Sequence, residues 1–257
     1  MKLKKGKKEM IASIKQNPLR TAVIGLLGVS FVILIHEFGH FLACKLFGVG
    51  TPIFSIGFGP ALASVKLGTT TFQLALLPFG GYVEISPTDL NALPYAPTIL
   101  IMLAGIIFNL LFTYGIFLYL SAKYSPNEAC IANNGGWRCW FGIPTRIQAI
   151  LKAFLTEEGQ TGLIGPIGII RMIGHSAKLG IDFYLFILAL ISINIAFFNL
   201  LPIPFFDGGK IMFYTIEKLA GPISGTAINY VYLLFFVLLL AVTIFVSLRD
   251  VFGMRRK

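Results

Sequence analysis

Four stretches of this chain, residues 21–47, 97–121, 183–201 and 227–248, are apolar runs of the length a bilayer imposes. At about 1.5 Å per residue, roughly 20 helical residues cross some 30 Å of hydrocarbon. With no water there to satisfy backbone polar groups, a spanning segment must be a helix or part of a closed barrel. The last three runs contain no Asp, Glu, Lys, Arg or His. Composition agrees: 56% of the residues are hydrophobic and only 12% charged, with a mean hydropathy of +0.82, far from an ordinary soluble domain. The expected fold is a mainly α, polytopic membrane protein with about four transmembrane helices. The net charge of +10 does not point to nucleic acid, because 17 of the 21 Lys and Arg lie in residues 1–20, 122–181 and 249–257. Basic residues clustered beside apolar spans suit an anionic lipid surface.

The first run alone carries a cluster of polar chemistry at bilayer depth: His36-Glu37-Phe38-Gly39-His40. Ionisable groups there are costly and mark function. Residues four apart share a helix face, so His36 and His40 can both point at one metal ion while Glu37 stands beside it, the HExxH arrangement of zinc hydrolases. Packed core histidines are the weaker reading, since lipid offers them no partner. The run lacks a small-residue cleavage site and is expected to be retained, not removed as a signal peptide. Cys44 continues the same spacing, but a fourth protein ligand would close the position that water needs, so it is expected to pack.

Between residues 52 and 85 the texture changes to Gly, Pro and Thr among alternating apolar residues, as in short strands and turns. So apolar a segment is expected to be a re-entrant β-hairpin or sheet beside the metal, because non-helical backbone at membrane depth needs protein or a water cavity next to it. It either pairs with an extended substrate or merely plugs the bundle. Asn109, the one strongly polar residue of the second run, either packs a neighbouring helix or faces the catalytic cavity, a weaker substrate-binding candidate. The third run ends in Asn199-Leu200-Leu201-Pro202-Ile203-Pro204-Phe205-Phe206-Asp207-Gly208-Gly209, where two prolines must break the helix. Asp207 is then a carboxylate at the end of a hydrophobic run, costly unless a cation meets it. Residues 1–20 read as a basic interfacial tail, 21–257 as one membrane-embedded domain, and 122–181 as a polar loop. That loop holds Cys130 and Cys139, which either close a small disulfide or stay free, and His175, expected to be solvated or interfacial.

Two histidines and one further ligand leave a catalytic zinc an open position for water. The ion would lower the pKa of that water toward about 7, and Glu37 would act as general base. The implied reaction is peptide-bond hydrolysis within or near the bilayer. A helical substrate hides its carbonyls, so something must hold it extended; the segment around residues 54–83, with Asn199, is the candidate.

These features together resemble the site-2 protease family of intramembrane zinc metalloproteases, and specifically the bacterial branch that cleaves anti-sigma factors. The resemblance is carried by His36 to His40, Phe54 to Pro60, Leu77 to Val83, Asn109, Gly165-Pro166-Ile167 and Asn199 through Gly209. It implies one zinc on His36, His40 and Asp207, Glu37 as general base, and Asn199 at the substrate backbone. It further implies multi-pass residence in a bacterial inner or plasma membrane and single-span membrane proteins as substrates, anti-sigma factors or signal-peptide remnants among them. The chain departs from that branch in three places. The roughly 60 residues between its second and third runs hold too little strand pattern for the PDZ domains found there; Lys210 stands where His often follows Asp-Gly-Gly; and Ile106 stands where Pro often follows Gly. The distribution of positive charge puts both termini in the cytosol, whereas the resemblance implies the reverse. The alternative function is a proteolytically silent protein binding transmembrane helices through the same groove. A zinc transporter ranks last, because the other spans are bare of ionisable residues.

Overall fold

The computed structural model describes residues 18–124 and 165–253. Its elements in order are helix α1 (Pro18–Leu46), strands β1 (Ile53–Leu67) and β2 (Thr70–Val83), the short helix α2 (Pro87–Ala92), then α3 (Tyr95–Tyr124), α4 (Pro166–Ser176), α5 (Ile181–Leu200), α6 (Asp207–Ala220) and α7 (Gly225–Gly253). Four of the helices, α1, α3, α5 and α7, are long and apolar enough to cross a membrane. The expected class is borne out: the described residues are mostly helical, with four candidate spans among them and a small sheet after the first. The basic tail up to residue 17, Cys130 and Cys139 lie outside the described residues. The end of the expected polar loop is not loop, since α4 lies within it, opened by Pro166 in its first turn. A proline there surrenders only an N–H that no helix could use.

Small residues let the helix axes come close, as they do where lipid gives no hydrophobic drive to association. A Cβ on Gly25 of α1 would collide with the carbonyl of Ile170 on α4, and one on Gly174 with that of Thr21. Val32 then packs with Ile173, Phe186, Ile187 and Leu188 in the core joining α1, α4 and α5. Much of the remaining apolar surface faces outward, including Leu27 and Phe31 of α1, Leu111 of α3 and Phe197 of α5, the pattern suited to hydrocarbon. Helix α7 is the least enclosed; Tyr232 and Phe236 touch Phe205 and Phe213 by ring contacts.

The strands are long, not the short pieces expected, because each bends back on itself. Gly57 and Gly59 (φ 90° and 93°) and Gly80 (φ 75°) adopt left-handed backbone conformations that suit glycine at these bends. The result gives Phe54 to Ile56 partners on both sides, Phe72 to Leu74 and Gly81 to Val83. The ribbon is fastened to α1 by Ser30, whose Oγ donates to the Pro78 carbonyl (2.7 Å) and accepts from the Gly80 N–H (3.0 Å). Aromatic contacts of Phe41 with Phe54 and Phe72 add a second seam. The sheet's last residues are thereby pressed against the helix that carries the histidines.

Candidate metal centre

His36 and His40 sit one helical turn apart on the buried face of α1. Asp207 reaches them because the chain turns sharply after α5: Leu201 caps that helix in an extended conformation, Pro202 and Pro204 prevent its continuation, and α6 starts at Asp207. The turn is tight enough that a Cβ on Gly208 would strike the Leu200 carbonyl and one on Gly209 the Ile203 carbonyl. The two glycines are therefore steric conditions for placing Asp207.

Three ligand-type atoms converge. His36 Nε2 lies 2.9 Å and His40 Nε2 3.2 Å from Asp207 Oδ2, and the two nitrogens are 3.2 Å apart. All three residues are buried, at 5%, 5% and 3% exposure. Zinc ligands about 2.0–2.2 Å from the ion stand roughly 3.3–3.5 Å from each other in a tetrahedron, so this triangle is one tetrahedral face contracted by a few tenths of an ångström. The remaining vertex belongs to no protein group among the described residues, which is the open geometry of a hydrolytic site. The residues thus fit a single zinc ion. Lys210 Nζ lies 3.0 Å from the second carboxylate oxygen, Oδ1.

Space beside this triangle is kept by an absence. A Cβ on Gly105 of α3 would lie 2.5 Å from His40 Nε2 and 2.7 Å from His36 Nε2. The same helix reaches His40 on its other side, where Nδ1–H donates to the Ile101 carbonyl at 2.8 Å. That bond puts the ring proton on Nδ1 and leaves the Nε2 lone pair for a metal.

A cavity of about 220 Å³ opens onto the centre, lined among others by Ile33, Glu37, Val83, Asn199, Asp207 and Lys210. Glu37 is half-buried in its wall, and Oε2 accepts from the Val83 N–H at 3.1 Å, so the end of β2 orients the carboxylate. Asn199 lines the cavity and donates Nδ2 to the Ile195 carbonyl (3.0 Å). Asn109 does not line it; this residue is fully buried behind His36, with Nδ2 3.4 Å from His36 Nδ1. Cys44 stands apart in the apolar cluster with Val49 and Ile101. His175 is exposed on α4, held below its ordinary pKa by partial burial and by Lys178 and Arg171. Sequence reasoning gave no part to the Val83 N–H and the Ile101 carbonyl, which as backbone groups leave no mark in the sequence. Gly105 did have a signal, a glycine one turn before the lone intramembrane Asn.

Sequence comparison adds an independent observation. The family model described as peptidase family M50 matches residues 24–242. A protein from Clostridium perfringens, provisionally named a zinc metalloprotease, is 28% identical over 327 aligned positions, covering 89% of this chain and 98% of its own. The alignment is longer than this chain, so the relative carries residues without a counterpart here. A similarly named Fusobacterium nucleatum protein is 25% identical, with 86% of this chain and 97% of its own covered. Over a shorter region, 27% of this chain and 11% of the relative, identity to a Chlamydia trachomatis protein with the same provisional name reaches 49%.

Proposed function

The chain belongs to peptidase family M50, the site-2 proteases, and from that footing we propose that it is an intramembrane zinc metalloprotease hydrolysing peptide bonds in or near the transmembrane segments of single-span proteins. The observation that carries this reading is the meeting of His36 Nε2, His40 Nε2 and Asp207 Oδ2, from α1 and α6, at the floor of a cavity that also holds Glu37. Zinc held by these three atoms supplies Lewis acidity toward water and toward the scissile carbonyl.

The rest is the work of the chain's own residues. Glu37, oriented by the Val83 N–H, takes a proton from the attacking water and delivers it to the departing amine. Val83 and Ile85 bring the sheet to the cavity wall, so a substrate unwound from helix into strand can lie along the Gly81–Val83 edge, with its backbone satisfied by β-augmentation. Asn199, which also lines the cavity, would hydrogen-bond that backbone. The outward apolar faces and the four candidate spans support residence in a bacterial inner or plasma membrane, with the lipid bilayer as a constant partner.

Metal analysis of detergent-purified protein together with proteomics of the membrane tests this. About one zinc per chain is expected, with Glu37→Gln keeping the metal. Tails of single-span proteins should be released by the parent and not by Glu37→Gln. Equal release by both would overturn the role of Glu37, and intact candidate substrates in both would favour a proteolytically silent groove.

A further inference from the structure

The Asn109 side chain carries an unmet demand. Its Oδ1 is the one buried side-chain polar atom among the described residues without a hydrogen-bond partner, in a residue with no exposed surface. Its Nδ2 meanwhile points at His36 Nδ1. A donor facing that nitrogen requires a lone pair on Nδ1 and hence a proton on Nε2, where the proton would point into the triangle formed with His40 and Asp207. With Nε2 given to a metal the proton must sit on Nδ1, and two N–H groups would then face each other.

A half-turn of the carboxamide, whose two ends are nearly the same size, relieves the facing of two N–H groups and gives the oxygen a donor, with the NH2 taking the place the oxygen had. Oδ1 then accepts from His36 Nδ1–H, and the orphaned oxygen gains its partner. We propose that Asn109 is a positioning residue for the metal: its oxygen fixes His36 with the proton on Nδ1 and the lone pair on Nε2 directed at the ion. The inference rests on the reading that His36 is a zinc ligand.

The neighbourhood supports it. Ile101, Gly105 and Asn109 lie at successive four-residue steps on one face of α3. The first holds His40 by its carbonyl, the second leaves the space beside both imidazoles, and the third meets His36. The helix itself is held from behind, as Ser192 Oγ of α5 donates to the Asn109 backbone carbonyl at 3.0 Å. One face of α3 thus orients both imidazoles, a task that outer partners of metal-bound histidines commonly perform.

The test uses the full chain in detergent and zinc alone as the probe. Zinc affinity is measured by chelator competition for the parent, Asn109→Leu and Asn109→Asp, and ring-¹⁵N NMR reads the His36 tautomer. Asn109→Leu, similar in size but without an acceptor, should bind zinc roughly 10- to 100-fold more weakly and lose the fixed Nδ1–H signal. Asn109→Asp, which keeps an acceptor oxygen, should stay within a few-fold of the parent. Parent-like affinity in Asn109→Leu, or an equal loss in both variants, would overturn the proposal. Should Asn109→Leu fail to fold, the parent's own spectrum decides: zinc-loaded protein without a proton on His36 Nδ1 refutes it. A parent that binds no zinc overturns this inference together with the reading beneath it, and is told apart by failing before any variant is compared.

Discussion

Replacing Gly105 by alanine adds a single methyl group to α3 directly beside both imidazoles. That methyl would stand 2.5 Å from His40 Nε2 and 2.7 Å from both His36 Cε1 and His36 Nε2, roughly 0.7–0.9 Å short of ordinary van der Waals contact, which begins at 3.4 Å. Neither imidazole can yield cheaply: His40 is tied to the Ile101 carbonyl, His36 backs onto Asn109, and both rings are buried. Ligand distances in a sound zinc site fall within about 0.2 Å of their usual values, so a displacement several times larger is expected to unseat at least one nitrogen. Loss of an outer-shell partner costs up to about 100-fold in metal affinity; displacing a ligand itself should cost at least that, about 2.8 kcal/mol. Chelator competition on detergent-purified protein measures the loss, with circular dichroism confirming the helices. Gly115→Ala on the same helix is the matched control, because nothing lies within 4 Å of its added Cβ; it should leave zinc binding intact and stabilise α3 by roughly 0.5–1 kcal/mol. Parent-like zinc affinity in Gly105→Ala would refute the argument that this glycine holds open the space beside the two nitrogens.

Two further substitutions probe the surroundings. Ser30→Ala strands the Pro78 carbonyl and the Gly80 N–H at about 1–3 kcal/mol for each group left unpaired; hydrogen exchange should accelerate at Gly80 while α1 stays protected, and unchanged exchange would show that the ribbon does not depend on this residue. Lys210→Met removes a cation whose side chain is 52% exposed, so solvent already screens its attraction to Asp207 Oδ1; zinc affinity should fall by less than about tenfold, and a loss of a hundredfold or more would give Lys210 a larger part in holding Asp207 than its exposure allows.

The spans were legible because a run such as 227–248 has one physical solution in lipid. The histidine pair was legible because four-residue spacing on a helix admits one geometry, and Asp207 because a carboxylate after two helix-breaking prolines demands a cation. Other features fail to announce themselves for stated reasons. Helix α6 begins with Asp207-Gly208-Gly209, and glycines at a helix start read locally as loop; they are present because the returning chain leaves no room for a Cβ. Helix α4 carries Arg171 and His175 and so blends into the polar stretch before it. The ribbon's doubled register depends on Gly57, Gly59 and Gly80 entering the left-handed region, which composition cannot distinguish from ordinary turns. Asn109 is the instructive case: a lone amide in a span fits packing, cavity or ligand support equally well, and only the position of His36 Nδ1 separates them.

The Val83 N–H, which lies against Glu37, holds a single acceptor more strongly than two that share it. A guest peptide whose carbonyl claimed that hydrogen would loosen the general base at the moment of its own arrival, while one halting a rung earlier would leave the base tethered. How far a guest advances along the ribbon and how free the proton acceptor is to turn are therefore bound together through a single hydrogen atom.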